Sequence, residues 1–164
     1  MNVFKASLRM IPQILKFSVF SFIFIFLTSC SNDDDDTFAN VRVNGSLITT
    51  TQADFVIGDR SDFNGDIDAS FTGNGGSATR VFSWNNNLTT ADYNADITST
   101  SEGSFRIIVE DSEATVVLDR TIQGGAGPDS IDGVTSAGVS GIWTVTIIVT
   151  NFNGDGSFSL SEGD

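Results

Sequence analysis

The sequence predicts an all-β protein, a single antiparallel β-sandwich behind an export signal and a short acidic linker. Three observations carry that reading. Helical periodicity is nearly absent from the chain after residue 40. Short β-branched and aromatic runs alternate with Gly, Asn, Asp and Ser clusters at intervals of about ten residues, the pattern of sandwiches and barrels. The links between runs are too short for the dozen or more residues a parallel crossover needs, so neighbouring strands should pair antiparallel. The expected organisation is residues 1–29 as signal, 30–40 as linker and 41–164 as the sandwich.

The signal is read from charge and length. Residues 1–16 carry Lys5, Arg9 and Lys16 and no acid, and the largely apolar run Phe17 to Leu27 follows, which is the grammar of a secretory signal peptide. As a helix that run covers about 16 Å, roughly half of the ~30 Å hydrocarbon core, too short for a stable span. Leu27-Thr28-Ser29-Cys30 comes next, and Cys30 is the only cysteine of the chain.

Those four residues resemble the lipobox of bacterial lipoproteins. The resemblance implies that the Cys30 thiol receives a diacylglyceryl group, that cleavage leaves Cys30 as the first residue, and that the partner of this end is a membrane, held through palmitate-type chains. Two or three acyl chains, at about 0.8 kcal/mol per buried CH2, hold far more firmly than one. Ser31 and Asn32 lead into Asp33, Asp34, Asp35 and Asp36, which resembles the export signal of surface lipoproteins of Bacteroidota and implies the outer face of the outer membrane. Four adjacent carboxylates also keep a spacer solvated and extended by self-repulsion.

In the sandwich the expected strands are Val41 to Val43, Leu47 to Thr50, Asp54 to Ile57, Ile67 to Phe71, Thr79 to Trp84, Tyr93 to Thr98, Ser104 to Glu110, Thr115 to Thr121, Ile142 to Phe152 and Ser157 to Ser161. Two show clean faces. Trp143, Val145, Ile147 and Val149 alternate with Thr144, Thr146 and Thr150, and Phe105, Ile107 and Val109 alternate with Arg106 and Glu110, so the odd positions should face the core. Residues 124–141 have no strong period and read as the longest loop. The last two strands read as a hairpin: with Asn153-Gly154 in a two-residue turn, Val149 faces Phe158 and Ile147 faces Leu160. The segment from Ser140 through Trp143, Val145 and the Asn153-Gly154 pair to Phe158 and Leu160 resembles the closing hairpin of jelly-roll domains related to the bacterial pre-peptidase C-terminal and proprotein-convertase P domains. That resemblance implies a jelly-roll-like sandwich and a non-catalytic accessory role.

From Cys30 onward five arginines face twenty-one acids, a formal charge of −16, because both lysines lie in the signal. Such a field repels phosphate backbones, which argues against nucleic acid and for cations or cationic partners. With Cys30 taken by lipid no disulfide can staple the domain, and stability must come from packing.

Candidate chemistry is sparse. Asn151, Asn153, Asp155 and Ser157, with Glu162 eleven residues after Asn151, match the ligand spacing of a twelve-residue calcium loop, except that Asn replaces the usual first Asp and no flanking helices are expected. Asp62, Asn64, Asp66 and Asp68 form a second string, with Ile67 where such a loop needs Gly; a solvated turn leading into the strand Ile67 to Phe71 is the better account of it. Calcium is the one cofactor these strings would take. The chain has no His, no Cys besides Cys30 and no Lys after Lys16, which removes the usual bases, nucleophiles and zinc sets. A carboxylate-only hydrolase remains as an alternative, but nothing singles out a pair. Trp84, beside Asn85, Asn86 and Asn87, and Tyr93 are the aromatics that would stack on a sugar ring if exposed, but core packing is the favoured role of Trp84, as of Trp143, because each sits in a strand run. The expected function is therefore binding or structural, at the cell surface and without catalysis, toward an extracellular glycan or protein. The alternative is a calcium-stabilised glycan-binding accessory module.

Overall fold

The computed structural model describes residues 37–49, 62–99, 103–125 and 127–163, all of them within one compact unit spanning Asp35–Asp164. The signal, Cys30, Asp33 to Asp36 and the expected strand Asp54 to Ile57 lie outside the described residues. The elements are β1 (Phe38–Val43), β2 (Ser46–Ile48), β3 (Asp62–Asn64), β4 (Ile67–Asn86), β5 (Ala91–Ser99), β6 (Ser104–Glu110), β7 (Val116–Gln123), β8 (Ser130–Val134) and β9 (Gly141–Glu162). The domain is all-β and, apart from β3 lying parallel to β4, its strands pair antiparallel.

Two strands of 20 and 22 residues, β4 and β9, organise everything else. They pair along almost their whole length, Ile67 with Leu160 at one end and Asn86 with Gly141 at the other. The first half of β4 and the second half of β9 form the centre of one layer, in the order β2-β1-β4-β9-β5-β8. The second half of β4 and the first half of β9 form the centre of the other, flanked by β3 on one side and by β6 and β7 on the other. One continuous sheet is thus folded into a sandwich. Its layers meet face to face where Phe71 of the first stacks on Phe105 of the second at 4.5 Å between ring centroids, with Phe158 at 5.7 Å from Phe105.

The fold line is written in the side-chain parity. Along β9 the buried residues are Trp143, Val145, Ile147 and Val149, then Phe152, Phe158 and Leu160, so the inward face changes from odd to even at Asn151. Asn151 adopts φ 44°, and its N–H donates to Ser77 Oγ at 2.8 Å. On β4 the change falls opposite, from Ile67 and Phe71 to Phe82 and Trp84, across register shifts between Asn74 and Ala78. One extra residue in each strand turns its side chains over and bends it, which is how a strand leaves one layer for the other.

This corrects the expected last hairpin. Asn153-Gly154 is no turn: Asn153 pairs with Asn74, and Gly154 pairs with Gly73 on one side and Ser99 on the other. Val149 lies against Ala78 and Phe105, and Phe158 against Ala69 and Ala95. The glycines serve close approach. A Cβ on Gly154 would collide with the Thr98 carbonyl, and one on Gly156 with the Phe71 ring. The expected strands Ile67 to Phe71 and Thr79 to Trp84 are likewise one strand, their glycine-rich junction being the bend. The expected loop 124–141 contains β8. Among the described residues only Asn44-Gly45 forms a two-residue turn between paired strands, with φ 47° and 79°, the geometry Asn-Gly favours.

Three side chains tie the open margins of the sandwich. Arg80 Nε donates to the Ile48 carbonyl of β2 at 2.7 Å, and burial lowers the Arg80 pKa below its ordinary value. Trp84 Nε1 donates to the Gly65 carbonyl at 2.7 Å, and Asn86 Nδ2 to the Thr90 carbonyl at 2.9 Å. Among the described residues no helix is long and apolar enough to cross a membrane.

Candidate binding face

Strand alternation sorts the first layer into an apolar inner face and a polar outer one. On β5 Ala91, Tyr93, Ala95 and Ile97 are buried, whereas Asp92, Asn94, Asp96 and Thr98 are exposed. The same alternation sets Asp68, Ser70 and Thr72 of β4 and Asp155 and Ser157 of β9 outward. Pairing then aligns them across the sheet. One row runs Asp68, Ser159, Asn94, Asp132. The next runs Arg42, Ser70, Ser157, Asp96, Ser130, and the third Asn40, Thr72, Asp155, Thr98. Rows repeat about every 7 Å along the strands and neighbours stand about 4.8 Å apart across them. The result is an open lattice of hydroxyls, amides and carboxylates in which, among the described residues, Arg42 is the only cation.

Within the lattice Ser157 Oγ donates to Asp96 Oδ1 at 2.5 Å, so the two form one unit at its centre. The five carboxylates Asp68, Asp92, Asp96, Asp132 and Asp155 stand on four different strands, and backbone pairing holds each in place. The other layer differs. Its outer positions Val81, Ser83 and Thr146 are buried, and its surface carries the Arg106–Asp119 pair, two hydrogen bonds of 2.7 and 2.6 Å. That fork holds the Asp119 carboxyl below its ordinary range, through hydrogen bonding first, and raises the Arg106 pKa. The open polar face belongs to the first layer.

At the end of the sandwich carrying the β6–β7 loop, Asp111 is buried and accepts from three backbone N–H groups, Thr115 at 2.8 Å, Glu113 at 2.9 Å and Val139 at 2.9 Å. Those bonds, Thr115's first, lower its pKa. Its role is to join that loop to the segment leading into β9. A groove of about 300 Å³ lies at the opposite end, lined by Ile97, Thr98, Ser99, Gln123, Gly125, Gly127 and Asp129, and shares Thr98 with the polar face.

The residues singled out from sequence fall as follows. Asn151, Asn153, Asp155, Ser157 and Glu162 lie along one extended strand. At about 3.3 Å per residue its ends are roughly 35 Å apart, so the calcium loop cannot close on one ion. Glu162 instead accepts from the N–H and the amide of Asn87, each at 2.7 Å. Asp62, Asn64, Asp66 and Asp68 span β3, a turn and the start of β4; the Asn44 side chain accepts from the Asp68 N–H at 2.8 Å. Among the described residues no three Asp, Glu, Cys or His side chains are grouped to hold a metal ion. Trp84 is fully buried, edge-on to Trp143 at 5.9 Å, and Tyr93 is 8% exposed with its ring over Gly133. Neither offers a face for sugar stacking, because both sit on inward positions of their strands. The lattice was not singled out from sequence. Its signal was the alternation in Asp92 to Thr98 and Asp68 to Thr72, but only pairing shows that these residues share a surface.

No family model matches the chain, and none of the curated proteins does. Two chains among the solved structures are similar. One comes from work on the structural basis for the promiscuous specificity of the carbohydrate-binding modules from the β-sandwich superfamily. It aligns with 15% identity and a TM-score of 0.35, over 75% of this chain and 52% of its own length. The chain thus spans about half the length of that structure.

Proposed function

We propose that the protein is a non-catalytic, lipid-anchored lipoprotein of the outer membrane, facing the cell exterior, that binds an extracellular glycan through the open polar face of its first layer. The lattice of exposed Ser, Thr, Asn and Asp on paired strands carries the binding part. Ser70 and Thr72 can donate and accept, Ser157, whose proton goes to Asp96, can accept, Asn40 and Asn94 do both through amides, and the carboxylates accept from sugar hydroxyls. Because the backbone already fixes their spacing, little ordering cost attends binding. The charge favours neutral or basic glycans over acidic ones. Lipobox and aspartate run support the address.

Binding is tested on an array of neutral, basic and acidic glycans with the protein and with Ser157→Arg, which places a long cation at the centre of the face. Capture of neutral or basic glycans that drops at least about tenfold in the variant, equivalent to 1.4 kcal/mol, is the expected result. An empty array, or capture indifferent to Ser157→Arg, refutes the reading. For the address, Cys30→Ser should release the protein from membranes, and replacing Asp33 to Asp36 should abolish its digestion by protease added to intact cells. Unlipidated protein retained in the membrane, or unchanged digestion, counts against it.

A further inference from the structure

The chain contains four Asn-Gly pairs, at Asn44, Asn64, Asn74 and Asn153. In such a pair no Cβ shields the glycine nitrogen from the preceding side-chain amide, and the glycine backbone is free to swing. The nitrogen can attack the amide carbon only if the local backbone leaves its native geometry. The rate therefore follows local opening, which is set by the fold and differs from site to site.

Three of the pairs are held. Asn153 lies inside β9 between Asn74 and Ser99, and its carbonyl accepts from Ser99 Oγ at 3.2 Å. Asn74 lies inside β4 with β1 on one side and β9 on the other. Asn44 sits in its tight turn with its N–H on the Asp68 carbonyl at 2.7 Å, its Oδ1 accepting from the Asp68 N–H and its Nδ2 donating to the Asp66 carbonyl at 3.3 Å. Asn64 is held by less than any of these. It is the exposed last residue of the three-residue strand β3, paired on one side only among the described residues. Gly65 follows at φ 77° with nothing within 4 Å of where a Cβ would stand, as Gly45 does at φ 79°, but the Asn64 side chain, unlike that of Asn44, makes no hydrogen bond to a described residue.

We propose that Asn64-Gly65 is a self-modifying site. The Gly65 backbone nitrogen attacks Asn64 Cγ; the new C–N bond forms as the Cγ–NH2 bond breaks, and the backbone amide proton passes through solvent to the leaving amino group, which departs as ammonia. Water then opens the five-membered imide at either carbonyl and leaves aspartate or isoaspartate at position 64. One water is consumed, one ammonia is released, and no electron changes hands. The product carries one more negative charge. Its isoaspartate form also lengthens the main chain by a methylene just before the Gly65 carbonyl, which accepts the indole N–H of buried Trp84 at 2.7 Å. The modification is thereby coupled to the aromatic core.

The test ages the purified protein at mildly alkaline pH and maps it after trypsin digestion. Cleavage after Arg42, Arg60, Arg80 and Arg120 puts Asn44 in 43–60, Asn64 with Asn74 in 61–80 and Asn153 in 121–164, and fragmentation separates Asn64 from Asn74. Asn64 should convert at least about tenfold faster than each of the other three. Tryptophan emission should change in step, and Asn64→Gln should abolish both changes. Conversion of Asn44, Asn74 or Asn153 as fast as Asn64, or an unmodified Asn64 in protein whose unfolded control converts, overturns the proposal. Conversion of Asn64 without a change in emission overturns the link to Trp84.

Discussion

Phe105→Ala tests the folded-sheet architecture directly. Phe105, on β6, is fully buried between Phe71, which its ring stacks against with planes 5° apart, and Phe158. Truncating a buried phenylalanine costs about 3–5 kcal/mol, transfer and cavity together. For a domain of this size each kcal/mol lowers the melting temperature by about 3–5 °C, so a fall of roughly 10–20 °C is expected. That loss alone would follow from any buried position, so the architecture is tested by coupling. Phe71 and Phe105 belong to different layers and are not paired in the sheet; they meet only because β4 and β9 bend. In a cycle of Phe71→Leu, Phe105→Leu and the double variant, unfolded in urea, the pair should show about 0.5–1.5 kcal/mol of interaction energy. Additivity within about 0.3 kcal/mol would mean that the rings do not touch, and the sandwich built from one folded sheet would be wrong.

Three further outcomes follow from individual contacts. Asp111→Ala should destabilise the protein at neutral pH. Because the folded pKa of Asp111 is lowered, its contribution is full above the ordinary carboxylate range and disappears as pH falls through the folded value. The gap in melting temperature between wild type and variant should therefore close in strong acid, and a constant gap would refute the role of the carboxylate. Gly156→Ala should cost about 1–3 kcal/mol in urea unfolding by driving a methyl into the Phe71 ring and the Asp96 carbonyl; a neutral result would mean that β9 does not approach β5 as described. Asn151→Val should lose about 1–2 kcal/mol because a β-branched residue resists the left-handed backbone at the bend, whereas Asn151→Gly should be tolerated. Equal stability of the two variants would count against the bend.

The two readings of the last segment show where sequence stopped. Apolar residues at 143, 145, 147 and 149 and again at 158 and 160 define a face that changes parity between them, and both a tight turn and a bulge produce that change. Asn-Gly favours the turn in isolation. The structure decides for the bulge because β5 and β4 lie against both edges of β9, at a distance that requires Gly154 and Gly156 to lack side chains. No local signal contains that neighbour. The same holds for Gly73 and Gly76 in β4, which read as breakers and are positions where a Cβ would collide with the backbones of Phe152 and Phe38.

By itself the sequence determined the all-β class, the inward faces of β6 and the first half of β9, the negative charge and the absence of the usual catalytic side chains. Each of these depends on residue type or on a period of two, which is local. Only the tertiary structure decided that ten expected strands include two long ones that cross between layers, that Trp84 and Tyr93 lie inside, and that polar residues from β1, β4, β5, β8 and β9 share one open face. Those outcomes depend on pairing between segments as far apart as Ile67 and Leu160. A strand's own residues specify which of its faces is apolar, but not which strand lies beside it.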